Sequence, residues 1–214
     1  MTPPPLDSTP TLYFARHGES EANVLKQFSN GLGKHPLTER GRQQALALAD
    51  RLRGASITRV YCSPVLRAHQ TAEVLSAELK ADLTVEDALR EFDVGVLEGK
   101  SDQASWDAYW DLVEAWIKRH DWGRRVEGGE SFVDIRDRFL PFIRSLVQEP
   151  LQISGGVVLV GHGGTYRCML PLLFENVSFE FAAEHGLSET GLIVGKPGSH
   201  GLVCLSWGET QLRP

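Results

Sequence analysis

The sequence predicts a three-layer α/β/α fold, with a mostly parallel (mixed) sheet between two helical layers and a small helical cap insertion. Two observations carry this prediction. Short apolar segments typical of buried strands alternate with helical segments along most of the chain. The last two apolar segments are joined directly by the loop 195–200, which is rich in Gly, Pro and Ser and favours an antiparallel pair. The sheet is therefore expected to be mixed.

Six segments have the apolar and aromatic character of strands. They are residues 12–15, 59–62, 83–85, 156–160, 191–194 and 202–207. The helical segments between them have apolar residues at helical spacing or a recognisable start. They are residues 20–27, 38–54, 63–80, 101–122, one that opens at 131, and one that follows 161–164 and runs to 173.

Local signals mark where some helices begin, end or bend. Thr38 is a preferred N-cap residue, and Gly54 is well placed to end the helix that follows it. Ser131 and Asp134 have the spacing of a capping box. Pro141 removes a backbone donor from the same helix, which predicts a kink.

The domain organisation is expected to be simple. Residues 1–10 are Pro-rich and predicted to be a disordered tail, and 11–214 form a single domain with a helical cap insertion at about 100–127. Four of the five tryptophans fall in this insertion. We favour packing on the core as their role, and a wall around a pocket is the second interpretation.

Composition restricts the class of protein. The 214 residues are 42% hydrophobic with a net charge of −6, which argues against nucleic-acid partners. No apolar run is long enough for a membrane helix, and the first residues lack the pattern of a signal peptide. Three cysteines without CxxC spacing indicate reduced thiols. We expect a cytoplasmic protein without a membrane partner, and a homodimer is one alternative for its assembly.

Three predicted strands lead to Arg or His residues. Arg16 and His17 end the first strand, Arg67 lies one helical turn beyond the end of the second, and His162 follows the strand at 156–160. The carboxyl ends of parallel strands meet at one edge of a sheet, where ligands bind. Arginine matches phosphate oxygens and histidine can attack phosphorus. This pattern indicates a site for a phosphate monoester.

Motifs for other chemistry are absent from the sequence. There is no P-loop, no GxGxxG unit between a strand and a helix, and no HExxH. We therefore predict neither a cofactor nor a metal site. The remaining histidines are expected to be ordinary surface or structural residues: His35, His69, His120, His185 and His200.

Three segments together resemble the histidine phosphatase superfamily, the phosphoglycerate-mutase-like proteins. They are Arg16-His17-Gly18-Glu19 with Asn23, Ser63 to Ala72, and Val160 to Gly164. The likeness extends from about Leu12 to about Trp207. The resemblance implies a phosphorylated nucleophile at His17. It also implies a phosphoryl site formed by Arg16, Arg67 and His162, with Asn23 and Gly163 assisting.

A proton donor for the leaving group is also implied by the resemblance. The family places a glutamate in a segment that resembles Leu89 to Gly99, which points to Glu91. Asp93 and Glu98 lie in the same segment and remain alternatives. Glu19 is expected to be a structural neighbour of the helix start.

The predicted activity is metal-independent hydrolysis of small phosphorylated metabolites through a phosphohistidine. The alternatives are a cofactor-dependent phosphoglycerate mutase and a non-catalytic phosphate-binding module. Phe92 and Asp93 stand where mutases carry a basic and aromatic set, which favours water as the acceptor. Four cations could form a basic rim, although solvated surface charge is the favoured interpretation: Lys34, Lys100, Arg124 and Arg125.

Overall fold

The structure is a computed structural model that describes residues 10–31, 33–148 and 155–213. The predicted disordered tail lies outside the described residues except for Pro10, which is buried.

Strands and helices alternate through the described part of the chain. The strands are β1 Leu12–Arg16, β2 Ile57–Cys62, β3 Asp82–Val85, β4 Gly156–Gly161, β5 Leu192–Pro197, β6 Leu202–Trp207 and β7 Thr210–Gln211. The helices are α1 Glu21–Leu25, α2 Glu39–Leu52, α3 Leu66–Leu79, α4 Gln103–Ile117, α5 Phe132–Gln148, α6 Gly163–Met169 and α7 Phe179–Glu184. Short 3₁₀ turns at Asp87–Leu89 and Gly95–Leu97 lie in the segment that joins β3 to α4.

The strands form one mixed sheet in the order β3-β2-β4-β1-β5-β6-β7. Strands β1 to β4 run parallel, and β5 pairs antiparallel with β1 and with β6. All six residues of β4 are buried, as expected for a strand in the middle of a parallel region. The predicted α/β fold with a mixed sheet is confirmed.

Helices cover both faces of the sheet. On one face, Leu48 of α2 and Leu75 of α3 are buried in a cluster with Val60 and Val158 of the sheet. On the other face, α4 to α7 and Leu159 contribute to a larger and more aromatic cluster. Apolar side chains on both faces of the strands are thereby removed from water, which is the main favourable term in folding.

Two predicted capping signals are confirmed, one predicted start is displaced, and one predicted end is wrong. The helix predicted over 63–80 begins at Leu66, after the Ser-Pro turn. The Thr38 side chain accepts a hydrogen bond from the Gly41 N–H, and Ser131 and Asp134 form the reciprocal bonds of a capping box. Gly54 does not end α2, because a 3₁₀ turn continues the chain through it and Ser56 takes the left-handed conformation instead, with φ 48°. Pro141 lies inside α5, which runs on to Gln148.

The tryptophan-rich insertion contains a single helix, α4, which is shorter than the predicted 101–122. Its second half enters the core, where Trp116 is fully buried and packs against Phe92 and Phe132. Its first half carries Trp106 and Trp110, which line a cavity. Both interpretations of the tryptophans therefore hold, each for a different end of the helix.

Candidate active site

The register of the sheet brings three functional side chains to one edge. The His17 N–H donates to the Gly161 carbonyl at 3.1 Å, and the Ser63 N–H donates to the Val160 carbonyl at 2.9 Å. These bonds extend the β1–β4 and β2–β4 pairing one residue beyond the strands. His17, Ser63 and His162 are consequently neighbours.

His17 is buried and its ring is fixed at both nitrogens. Nδ1 contacts the Gly18 carbonyl oxygen at 2.7 Å, and since a carbonyl only accepts, Nδ1 carries the proton. Nε2 accepts a hydrogen bond from Arg67 Nε at 2.9 Å. Burial, followed by the charges of Arg67 and Arg16, holds the pKa of His17 well below its usual range. The ring is therefore neutral, with its lone pair on Nε2.

Gly18 is required by a close approach of two backbones. Its φ lies outside the left-handed region, so the backbone conformation does not by itself require glycine there. A Cβ at Gly18 would lie 2.5 Å from the carbonyl oxygen of Gly41 in α2. Gly41 has the reciprocal constraint, since a Cβ there would lie 2.0 Å from the Glu19 carbonyl oxygen. The segment after His17 is thus held directly against the start of α2.

Arg67 joins the two histidines. Its Nε donates to His17, and its Nη2 lies 3.3 Å from Nδ1 of His162. A third bond runs from Nη1 to the Ser29 carbonyl. Burial lowers the pKa of Arg67 to about 10, partly offset by the charge of Glu91, so the guanidinium remains cationic at neutral pH.

His162 is buried in the same cluster. Because arginine can only donate, Nδ1 of His162 accepts from Arg67, and Nε2 donates to Ser63 Oγ at 2.8 Å. The ring centroids of His162 and His17 lie 5.2 Å apart. Burial, and then the charges of Arg67 and His17, hold the pKa of His162 well below its usual range.

Arg16 is held by the segment that follows α7. Its Nη1 donates to the Leu187 carbonyl at 2.7 Å, and its Nη2 forms a salt bridge with Glu189 at 3.1 Å. Arg16 also lies beside Gly163, where a Cβ would contact Arg16 Cδ at 3.4 Å. The sequence analysis assigned no role to 187–189, because a contact across 171 residues leaves no local pattern.

Asn23 lies at the same cavity but its side-chain oxygen is already engaged. Oδ1 accepts from the Ser20 N–H at 3.0 Å and from Ser20 Oγ at 2.8 Å, which caps α1. Its amide nitrogen makes no hydrogen bond to the described residues. Glu19 accepts a hydrogen bond from Thr38 Oγ1 at 2.8 Å, consistent with its expected structural role.

The structure separates the three carboxylates considered for the proton donor. Glu91 lines the cavity together with His17 and Arg67. Its Oε1 accepts from the Thr165 N–H at 2.8 Å and from the Thr165 hydroxyl at 2.7 Å, and its Oε2 accepts from the Gly164 N–H at 3.1 Å. Asp93 is exposed and binds the Gly95 N–H, whereas Glu98 binds the Asn30 N–H, and neither lines the cavity.

The cavity has a volume of about 270 Å³. The predicted site residues Arg16, His17, Asn23, Arg67, Glu91 and Gly163 all line it, and His162 lies behind Arg67. The remaining wall contains residues that the sequence analysis did not select. They are Ala22, Gln27, Phe28, Ser29, Asn30, Trp106, Tyr109, Trp110, Gly164, Arg167 and Leu187.

Arg167 is the charged residue that sequence reasoning missed. It follows Gly164 by one helical turn, a spacing that places both on one side of a helix and was available as a signal. The four cations considered for a basic rim do not line the cavity. Two of them bind acidic side chains elsewhere, Arg124 with Asp111 and Arg125 with Asp134.

The three cysteines are free and buried. Within residues 10–31, 33–148 and 155–213, no three His, Cys, Asp or Glu side chains are grouped as metal ligands. None of the helices in these ranges is long and apolar enough to span a bilayer.

Comparison with known proteins identifies the family. The model of the histidine phosphatase superfamily (branch 1) matches residues 12–210, and the chain belongs to this superfamily. It is 32% identical over 162 residues to a protein of Salmonella choleraesuis named "Probable phosphoglycerate mutase GpmB", covering 74% of this chain and 72% of that protein. The predicted resemblance is confirmed.

Solved structures share the fold over nearly the whole chain. A mycobacterial glucosyl-3-phosphoglycerate phosphatase superposes with a TM-score of 0.78 at 26% identity, covering 94% of this chain and 100% of the other. An alpha-ribazole phosphatase from Shigella flexneri superposes with a TM-score of 0.74 at 24% identity, covering 93% of this chain and 96% of the other. At that identity the second likeness concerns the fold alone.

Proposed function

We propose that the protein is a metal-independent phosphomonoesterase that hydrolyses small phosphorylated metabolites through a phosphohistidine at His17. Membership of the superfamily, with phosphatases among its structural relatives, supports a hydrolase at the family level. A cytoplasmic location is part of the proposal, and the free thiols support it.

One observation carries the mechanism. The bond from His17 Nδ1 to the Gly18 carbonyl leaves Nε2 as the basic nitrogen of a neutral ring. A neutral imidazole is a nucleophile, whereas its cation is not. Nε2 is also the nitrogen beside Arg67, which is suited to binding the phosphoryl group that is attacked.

In the first proposed step, the substrate phosphoryl group takes the place of Nε2 as the acceptor for Arg67. The Nε2 lone pair then forms a bond to phosphorus while the ester P–O bond breaks. The bond pair moves to the ester oxygen, which takes a proton from Glu91 and leaves as an alcohol. Arg16 and Arg67 stabilise the charge on the remaining phosphoryl oxygens, with Asn23 and the Gly163 backbone assisting. His162 acts through Arg67, because its Nδ1 accepts from that guanidinium and its Nε2–H donates to Ser63.

In the second proposed step, water replaces the alcohol. Glu91, now a carboxylate, accepts a proton from the water molecule while the water oxygen attacks phosphorus. The P–N bond breaks and its electron pair returns to Nε2, giving inorganic phosphate and neutral His17. The protonated Glu91 is then ready for the next cycle.

A phosphoglycerate mutase is the second candidate, and three observations favour it. The curated relative in Salmonella carries that name. Arg167 adds a positive charge to the cavity wall. Asp93 does not line the cavity, so its charge is not directed at a bound sugar acid. Both activities share the phosphohistidine and differ in whether water or a second phosphorylated acid accepts the group.

Product analysis separates the two candidates from each other and from a non-catalytic module. The purified protein is incubated with 3-phosphoglycerate and 2,3-bisphosphoglycerate, and both inorganic phosphate and 2-phosphoglycerate are followed. An aryl phosphate serves as a general substrate, and His17→Ala as the control. We expect aryl phosphate hydrolysis with no efficient equilibration of the two phosphoglycerates. Rapid isomerisation with negligible phosphate release would establish the mutase, and no turnover of any substrate would favour the binding module.

A further inference from the structure

We propose that Arg167 and the ring of Trp110 form a second anion-binding subsite, which selects phosphomonoesters that carry a further carboxylate or phosphate group. This inference rests on the proposed function and deepens it, since it defines the substrate class of the same cavity.

The guanidinium of Arg167 has no anionic partner within the described part of the chain. The guanidinium carbon lies over the ring of Trp110, 5.2 Å from the ring centroid. No hydrogen bond or salt bridge joins its guanidinium to a described residue. The side chain is half-buried and lines the cavity. A half-buried cation without a partner has donors available for a ligand.

The other two cavity arginines differ in this respect. Arg16 is neutralised in part by Glu189 and donates to the Leu187 carbonyl. Arg67 donates to His17 and to the Ser29 carbonyl. Both lie at the proposed phosphoryl site, which leaves the charge of Arg167 unused by the first phosphate group.

Trp110 orients the guanidinium without satisfying its donors. A ring face attracts the cation, but it accepts no N–H bond of ordinary geometry. Tyr109, which is buried, packs edge-on against Trp110 with ring centroids 5.1 Å apart. The indole is nevertheless 44% exposed. Arg167 is thus positioned before the ligand arrives, which reduces the entropic cost of binding.

The charges of the cavity agree with this assignment. Its charged lining residues are Arg16, Arg67, Arg167 and Glu91. Because Glu91 is bound to the first turn of α6 through the Gly164 and Thr165 N–H groups, it does not pair with Arg167. A substrate with a second oxyanion would supply that missing pair, as a planar guanidinium matches carboxylate and phosphate equally well.

The test compares matched substrates that differ in the second anion. Kinetics are measured for 3-phosphoglycerate against glycerol 3-phosphate, and for fructose 1,6-bisphosphate against fructose 6-phosphate, with wild type and Arg167→Met. Methionine keeps an unbranched apolar side chain against Trp110. We expect the preference for the diacidic member, expressed as a ratio of kcat/KM, to fall at least about tenfold in one or both pairs, mainly through KM. A change in the 3-phosphoglycerate pair indicates that the subsite binds a carboxylate, and a change in the fructose pair indicates that it binds a phosphate.

A matched control is Arg51→Met, since Arg51 is exposed in the last turn of α2 and does not line the cavity. It should change the ratios by no more than about twofold. Unchanged ratios in Arg167→Met, or equal losses for both members of each pair, would overturn the inference.

A binding measurement keeps this test separate from the proposed activity. The affinities of 3-phosphoglycerate and glycerol 3-phosphate are measured by calorimetry on His17→Ala, with and without Arg167→Met. If wild type hydrolyses no phosphomonoester, the proposed function fails, and a selective loss of 3-phosphoglycerate binding would still support the subsite. Equal affinities for the two ligands, unaltered by Arg167→Met, would refute it.

Discussion

Replacing Glu91 with glutamine tests the proton donor, and the structure predicts two separate effects. The first is on stability. The carboxylate accepts bonds at both oxygens, from Thr165 at Oε1 and from the Gly164 N–H at Oε2. An amide has only one oxygen, so its NH₂ group must face an N–H that formerly donated. We expect the loss of one charge-assisted hydrogen bond, about 1.5–3 kcal/mol, and a fall in Tm of roughly 3–12 °C.

The second effect is on chemistry. Glutamine cannot donate the proton that an alkyl leaving group needs, so kcat/KM for an alkyl phosphate, which reports the first step, should fall by about 10²–10⁴. An aryl phosphate, which leaves as a stabilised anion, should lose much less. Both rates are measured well below the Tm of the variant, which prevents unfolding from contributing to the difference.

Two neighbouring carboxylates provide controls of the same chemical kind. Asp93→Asn and Glu98→Gln each remove a carboxylate that accepts a backbone N–H outside the cavity. Neither should alter the ratio of alkyl to aryl rates. An equal loss of kcat/KM on both substrates in Glu91→Gln would reduce Glu91 to a structural role in the first step. A larger selective loss in Asp93→Asn or Glu98→Gln would transfer the assignment to that residue.

Two further predictions concern the stability of the buried histidine cluster, and a third concerns metal independence. Burial lowers the pKa values of His17 and His162 in the folded protein. Below about pH 6.5 these histidines therefore take up protons only in the unfolded chain. The free energy of unfolding should consequently fall by about 1.4 kcal/mol for each histidine per unit decrease in pH. Denaturation from pH 7 to 5 measures this slope, and an unchanged slope in His162→Gln would contradict it. Ser63→Ala should destabilise the fold by about 1–3 kcal/mol by leaving the His162 Nε2–H unpaired; no loss in denaturant titration would mean that another acceptor serves. Phosphatase activity should survive exhaustive chelation, and a loss restored by a divalent metal would refute metal independence.

The sheet and the cluster of Arg16, His17, Arg67 and His162 could be predicted because their signals are local. Six of the strands are apolar segments of four to six residues, and each predicted Arg or His lies at or just beyond a strand end. The parallel register then brings these strand ends together, since it aligns Arg16 with Gly161 and Cys62 with Val160. Helix α7 contains six residues and strand β7 contains two. Segments this short show too little periodicity to indicate a helix or a strand.

The contacts that complete the cavity could not be predicted because they join residues that are distant in the sequence. Glu189 forms a salt bridge with Arg16, which lies 173 positions away in the sequence. Trp110 of α4 contacts Arg167 of α6. The role of Gly18 was missed for the same reason: its constraint comes from Gly41, 23 positions away, and not from its own φ. Likewise, only the packed structure separates Glu91 from Asp93, since both are acidic residues of one irregular segment.

The most direct test of the account is the position of the phosphoryl group on the trapped enzyme. Wild type is mixed with an excess of substrate, quenched rapidly in alkali, and analysed by mass spectrometry and phosphorus NMR. The structure assigns the Nδ1 proton of His17 to the Gly18 carbonyl, so we expect phosphate on Nε2 of His17, labile in acid and absent from His17→Ala. Phosphate on Nδ1 or on His162, or full turnover by His17→Ala, would contradict the account.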